Sequence, residues 1–131
     1  PKEKPFRLID IGCGFGGVLS YLSRSHPHGS YFGVELAPMP WLIAWLRNLF
    51  FGRRYRVARR DYRRVDLRNF DIVFCFLSPA AMPQLWQQAR QQMRKGSLLV
   101  SCEFTVPGEK PSFEIETGGA RGQLLYVWRM P

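Results

Sequence analysis

The sequence predicts an α/β fold, a mostly parallel sheet of seven strands with helices on both faces and an antiparallel hairpin at its C-terminal end. Three observations carry this expectation. Short apolar runs alternate four times with segments of helical spacing. Glycines and prolines punctuate each change. After residue 107 the pattern becomes two strand-like runs around a glycine-rich turn. At 131 residues the chain is long enough for one core and short for two, so a single domain over 1–131 is expected. It begins at Pro1, and a segment ahead of that residue is expected to be missing.

Residues 6–11 (FRLIDI) read as a buried strand running into a glycine cluster, and 17–25 place Val18, Leu19 and Leu22 at helical spacing before His26-Pro27-His28-Gly29 stops them. A second strand is expected over 31–36. Pro38 and Pro40 then open a helix through Phe50 or Phe51, closed by Gly52. A short third strand falls at 55–58 and a fourth, apolar on both faces, at 71–77. Pro83 begins a helix with Leu85, Trp86, Ala89 and Met93 on one face and five glutamines on the other. Gly96 ends it, 97–104 form a fifth strand, and 113–116 and 124–128 form the hairpin around the turn at 118–122.

Hydrophobic residues at 46% and charged residues at 22% exclude disorder as the main state. Three cysteines with no CxxC spacing exclude a disulfide scaffold or a zinc ribbon and suggest a reducing compartment. No apolar run approaches the roughly 20 residues of a membrane helix, and no signal peptide is expected, so the location expected is cytoplasmic or peripheral to a membrane. The formal charge of +9 is concentrated: nine arginines face two aspartates between residues 47 and 68. That block (Arg53, Arg54, Arg56, Arg59, Arg60, Arg63 and Arg64 at its centre) suggests an anionic membrane surface, a nucleic acid or an acidic protein, or else a solvated face without a partner.

The chemistry is written in Asp10-Ile11-Gly12-Cys13-Gly14-Phe15-Gly16-Gly17, between the first strand and the first helix. Glycines there let a ligand approach the backbone, and the amides of the following helix favour an anionic group. Two registers compete. Gly12, Gly14 and Gly17 satisfy G-x-G-x-x-G, the dinucleotide pattern, and Asp10, Gly12, Gly14 and Gly16 satisfy D-x-G-x-G-x-G. The latter resembles the first motif of class I S-adenosylmethionine-dependent methyltransferases. A carboxylate two residues before the first glycine suits a cationic amino group and would repel a pyrophosphate, which favours S-adenosylmethionine. Glu35, 19 residues after Gly16, is placed to accept both ribose hydroxyls. Asp61-Tyr62 follows the third strand, where this class often sets an acid against adenine; pairing of Asp61 with Arg60 or Arg63 is the structural alternative.

From Glu35 onward the sequence resembles the ATP synthase c-subunit and adenine nucleotide translocase lysine methyltransferases. Gly33-Val34-Glu35-Leu36-Ala37-Pro38 with Trp41-Leu42, then Asp61-Tyr62-Arg63, residues 71–77, Pro79, Met82, Leu85, Gly96 and the stretch 100–107 carry the resemblance. Ala37 departs from it, standing where the family commonly has a polar residue, and the hydrophobic anchor and helical lead-in of eukaryotic members are expected to be absent. The resemblance implies a Rossmann-like class I methyltransferase that moves a methyl group from S-adenosylmethionine to a protein lysine and releases S-adenosylhomocysteine, with no metal. Cofactor contacts are expected at Asp10, Gly12, Cys13, Gly14, Phe15, Gly16, Glu35, Leu36, Asp61, Tyr62 and Phe76. Ser78 and Pro79 would position the acceptor and Phe104 would line its side.

Other readings stay open. An RNA or DNA methyltransferase fits the arginine block, although Ser78-Pro79-Ala80-Ala81 lacks the second proline and aromatic of the base-methylating loop. A non-catalytic module retaining the cofactor fold is another, and a dinucleotide oxidoreductase lacks its tyrosine-lysine pair. Ser78 could equally cap a helix. His26 and His28 read as loop residues, and Cys75 and Cys102 as strand packing. The helix over 38–51 is apolar nearly all round; burial against the sheet and a preceding segment is the expectation, and a membrane-facing helix the alternative.

Overall fold

The computed structural model describes residues 4–50, 52, 54–118 and 122–131. Phe51, Arg53 and most of the expected hairpin turn (Gly119, Ala120 and Arg121) lie outside them. The strands are β1 (Arg7–Ile11), β2 (Ser30–Val34), β3 (Arg56–Ala58), β4 (Ile72–Cys75), β5 (Leu98–Cys102), β6 (Phe113–Glu116) and β7 (Leu124–Arg129). The helices are α1 (Gly17–Ser25), α2 (Pro38–Phe50) and α3 (Met82–Gln92). The strands form one seven-stranded sheet in the order β3-β2-β1-β4-β5-β7-β6. The chain divides into two compact units, residues 1–65 and 66–131.

In the first unit β1 pairs in parallel with β2, and β2 with β3. Leu8, Ile9 and Ile11 of β1, Leu19 of α1, and Tyr31 and Val34 of β2 form its core. Parallel strands need a covered crossover between them, and α1 and α2 supply two. Gly33 explains how closely α1 settles: a Cβ there would stand 2.5 Å from Leu19 Cδ1 and 2.9 Å from Cys13 Sγ. A glycine inside a strand often marks such an approach. Glu35, within the expected second strand at 31–36, lies just beyond β2, although its amide still donates to the Ala58 carbonyl at 3.1 Å.

In the second unit β4 and β5 are parallel, and β7 runs antiparallel to both β5 and β6. The expected hairpin is present, and its second strand is the one that joins β5. Val73, Leu85, Leu99 and Val127 are sealed in this unit's core. Two single 3₁₀ turns, Tyr62–Arg64 and Leu67–Asn69, were not expected from the sequence; each is capped by an aspartate, Asp61 and Asp66, accepting the amide two residues on. The five glutamines of α3 do not all face water. Gln88 is buried, and Gln92 Oε1 accepts the Leu67 amide at 2.9 Å.

The largest departure is α2. Among its residues only Ala44 is buried, and Met39, Leu42, Ile43, Trp45, Leu46 and Phe50 are exposed. The expected burial against the sheet is therefore confined to one narrow side. Tyr55 hydroxyl donates to the Ala44 carbonyl, and Asn48 exchanges hydrogen bonds with the Tyr55 backbone.

Candidate cofactor site and relationships to known proteins

Which glycines the loop needs is decided by backbone geometry. Gly12, Gly14 and Gly16 have φ of 72°, 56° and 81°, in the left-handed region that side chains disfavour. Gly16 also caps α1 and meets Tyr55 and Ala44, whose nearest atoms would lie 3.1 and 3.3 Å from a Cβ. Gly17 has neither constraint, since no atom lies within 4 Å of its Cβ position. The structurally required set is 12, 14 and 16, so the loop follows the D-x-G-x-G-x-G register.

The loop is bound to the end of β2. The amides of Gly12 and Cys13 both donate to the Val34 carbonyl, at 2.9 and 3.0 Å, and the Gly16 amide donates to the Cys13 carbonyl. These three donors are spent on protein acceptors. Among the described residues the amides of Gly14 and Phe15 have none. A Cβ on Gly14 would point into open space, and the Phe15 ring is 55% exposed. Cys13 turns its thiol inward against Gly33. Burial, with the charges of Asp10 and Glu35, pushes that thiol up to about 12, so it stays protonated at neutral pH.

Beneath the loop, Asp10 is 4% exposed. No protein donor reaches its carboxylate among the described residues, yet no buried polar atom is left sealed and unpartnered, so its oxygens keep a sliver of open surface. Burial first, and the neighbouring charge of Glu35 after it, push its pKa up to about 8. Glu35 uses one oxygen, Oε2, to accept the Leu36 amide at 3.0 Å. Leu36 is exposed, and its carbonyl accepts from Arg59 Nε at 3.1 Å. Asp10, the glycine loop, Glu35 and Leu36 thus assemble around the carboxyl ends of β1 and β2.

Asp61 does not stand open. Arg63 Nε reaches both its oxygens at 3.0 Å and Arg63 Nη2 donates to Oδ2 at 2.5 Å, while the Arg63 amide also bonds Oδ1. These bonds, side chain first, hold the carboxyl down to about 2. The pairing is with Arg63, and Tyr62 sits half-buried in the same 3₁₀ turn.

The remaining expected residues belong to the second unit. Phe76 is exposed just after β4 and meets Phe104 edge to face at 6.0 Å between ring centres. Ser78 and Pro79 are both exposed; the Ser78 carbonyl accepts the Ala81 amide at 3.0 Å. Ala81, with no side-chain bond, caps α3, which corrects the alternative of Ser78 as a helix cap. Glu103 is a residue that sequence reasoning passed over. It is the one non-glycine with positive φ (69°) among the described residues, between β5 and Phe104. The Ser101 hydroxyl steadies this bend by donating to the Phe104 carbonyl at 2.6 Å. No three His, Cys, Asp or Glu side chains converge as a metal site among the described residues.

The sheet order and the glycine register define a class I methyltransferase fold. The chain belongs to the family of the ANTKMT methyltransferase domain, whose family model matches residues 10–113. A curated mouse relative, the adenine nucleotide translocase lysine N-methyltransferase, is 25% identical over 126 residues, covering 92% of this chain and 53% of its own length. The phthiotriol/phenolphthiotriol dimycocerosates methyltransferase of Mycobacterium leprae is 23% identical over 122 residues, covering 91% of this chain and 45% of its own. This chain thus spans about half the length of the curated relatives it matches. A solved structure of an RNA methyltransferase from Salinibacter ruber, in complex with S-adenosyl-L-homocysteine, shares the fold at a TM-score of 0.85 and 21% identity, over 96% of this chain and 81% of that one.

Proposed function

We propose that this chain is an S-adenosylmethionine-dependent methyltransferase domain acting on a protein lysine amino group. The observation that carries the cofactor is the pairing of Asp10, an acid with no protein donor among the described residues, with a glycine loop that is left-handed at positions 12, 14 and 16. A cationic α-amino group fits Asp10, because a ligand that brings its own positive charge offsets the cost of ionising a buried carboxylate. The amides of Gly14 and Phe15 suit the ligand's carboxylate, the unused Glu35 oxygen suits a ribose hydroxyl, and the exposed faces of Phe15 and Leu36 suit apolar contact. Asp61 would serve the adenine amino group through lone pairs left beside Arg63. A pyrophosphate has no place next to Asp10, which argues against a dinucleotide, whereas Glu35 would suit the ribose of either cofactor.

When bound, S-adenosylmethionine supplies a sulfonium methyl whose carbon–sulfur bond breaks, its electron pair staying on sulfur, as the nitrogen–carbon bond forms. The protein's part is to position and desolvate. Phe76 would contact the cofactor, Phe104 would line the acceptor side, and Ser78-Pro79 would orient the amine; a lysine there must first lose its proton, which an apolar setting promotes. The lysine reading rests on the family and on the relative named for a lysine N-methyltransferase. A rival reading, methylation of RNA, has the exposed arginines after β3 behind it.

Calorimetric titration with S-adenosylmethionine, S-adenosylhomocysteine and NADH tests the cofactor. Saturable binding of the first two, lost in Glu35→Ala and Gly14→Arg, is the expected result, and binding of NADH alone would overturn the proposal. Radiolabelled methyl transfer into lysine-bearing protein, compared with RNA, then separates the two acceptors.

A further inference from the structure

We propose that the outer face of α2, with the arginines that bracket it, is a docking surface for an anionic lipid bilayer. Met39, Leu42, Ile43, Leu46 and Phe50 are exposed, Phe50 at 76% and Met39 at 64%. Their spacing is i, i+3, i+4, i+7 and i+11, which at 3.6 residues per turn makes one stripe about 100° wide. Ala44 and Asn48, the residues that engage Tyr55, lie on the opposite side. A surface helix ordinarily turns such a stripe toward its core. This one turns it outward.

Charge surrounds the stripe. Arg59 stands at the N-terminal end of α2, where its Nε holds the Leu36 carbonyl. Arg54 stands at the C-terminal end, its Nε 3.5 Å from the Cβ position of Gly52. Arg56, on the sheet-edge strand β3, lines an open pocket of about 370 Å³ with Trp45, Asn48, Leu49 and Tyr55. Among the described residues no carboxylate pairs with Arg54, Arg56 or Arg59, and Asp61 is taken by Arg63.

Three kinds of occupant can be weighed on this chemistry. Nucleic acid would take the arginines and leave an apolar stripe in water. Another copy of the chain could take the stripe, but a two-fold pairing would set each copy's arginines against the other's. An anionic bilayer accommodates both, with phosphate headgroups on the guanidiniums and the stripe at the acyl boundary. No described helix is long and apolar enough to cross a membrane, so α2 would lie in the plane of the interface. The pocket beside Trp45 would then take part of one lipid, its phosphate on Arg56. This surface is independent of which acceptor is methylated.

Co-sedimentation of the chain with vesicles of phosphatidylcholine alone, or with about one third phosphatidylserine, is the test. Binding is expected to the mixed vesicles only, with a blue shift of tryptophan emission that is reduced in Trp45→Phe. It should fall roughly tenfold in Leu46→Ser/Phe50→Ser and by a similar factor in Arg54→Gln/Arg59→Gln. Circular dichroism and the thermal midpoint establish that these surface variants remain folded. Failure to bind mixed vesicles overturns the proposal, as does equal binding by the serine variant. RNA binding by the unsubstituted chain, without binding to the mixed vesicles, would assign the arginines to nucleic acid instead and overturn the proposal. Concentration-dependent dimerisation that Leu46→Ser/Phe50→Ser abolishes, without vesicle binding, would make the stripe a self-interface and also overturn it.

Discussion

Gly16 and Tyr55 meet so closely that a Cβ on the glycine would stand 3.1 Å from the tyrosine hydroxyl, which is itself fixed by donating to the Ala44 carbonyl at 3.1 Å. The contact joins the end of the glycine loop to α2 and to the entry of β3. Its glycine is held both by φ and by space.

Substitution by alanine should therefore separate the two adjacent glycines. Gly16→Ala is expected to destabilise the chain by about 1–3 kcal/mol, combining a left-handed φ with a tight contact. Gly17→Ala, in the first turn of α1 with open space around it, should be neutral or stabilising by up to about 1 kcal/mol. Urea unfolding of both variants reads the difference; a larger loss in Gly17→Ala than in Gly16→Ala would mean that the G-x-G-x-x-G register is the structural one.

Asp10 predicts a pH dependence with a definite sign. Its pKa rises from 3.8 to about 8 on folding, so the folded chain keeps a proton that the unfolded chain releases. Stability should decline as pH rises from about 4 toward 8 and level off above it. Asp10→Asn should flatten that slope in thermal melts across this range.

The same carboxylate predicts proton release on cofactor binding. A cationic amino group beside Asp10 favours its ionised form, so affinity for S-adenosylmethionine should climb with pH up to about 8. At pH 7, titration in buffers of different ionisation enthalpy should register release of up to about one proton. No release at that pH would remove Asp10 from contact with the amino group.

Asp61 and Arg63 predict a trade. Asp61→Asn should lower affinity for S-adenosylhomocysteine roughly three- to tenfold with little change in thermal midpoint. Arg63→Gln frees the carboxylate and should raise the affinity. Unchanged binding in both variants would reduce Asp61 to a cap for the 3₁₀ turn that follows it.

Glu103 predicts a stabilising change. Its φ of 69° costs a side-chain-bearing residue about 1–2 kcal/mol, and Glu103→Gly should recover about 0.5–1 kcal/mol after the added freedom of the unfolded chain is subtracted. Urea unfolding measures it, and a destabilised variant would show that the glutamate side chain contributes more than its backbone costs.

Local pattern was enough to locate the seven strands and three helices of the described residues, because period and punctuation are properties of neighbouring residues. It was enough, too, for the acid and glycines of the loop, since a ligand that needs close backbone approach demands residue types at fixed spacing. Other features were legible only once distant segments met. The choice of Gly16 over Gly17 depends on Tyr55, about forty residues away along the chain. The loss of the Gly12 and Cys13 amides to one carbonyl of Val34, the capture of Asp61 by Arg63 and the shift of Asp10 all depend on which groups burial brings together. The apolar stripe of α2 was visible as composition, but its direction was not. Periodicity states that a helix has an apolar face, and only packing decides whether that face turns toward the core or away from it.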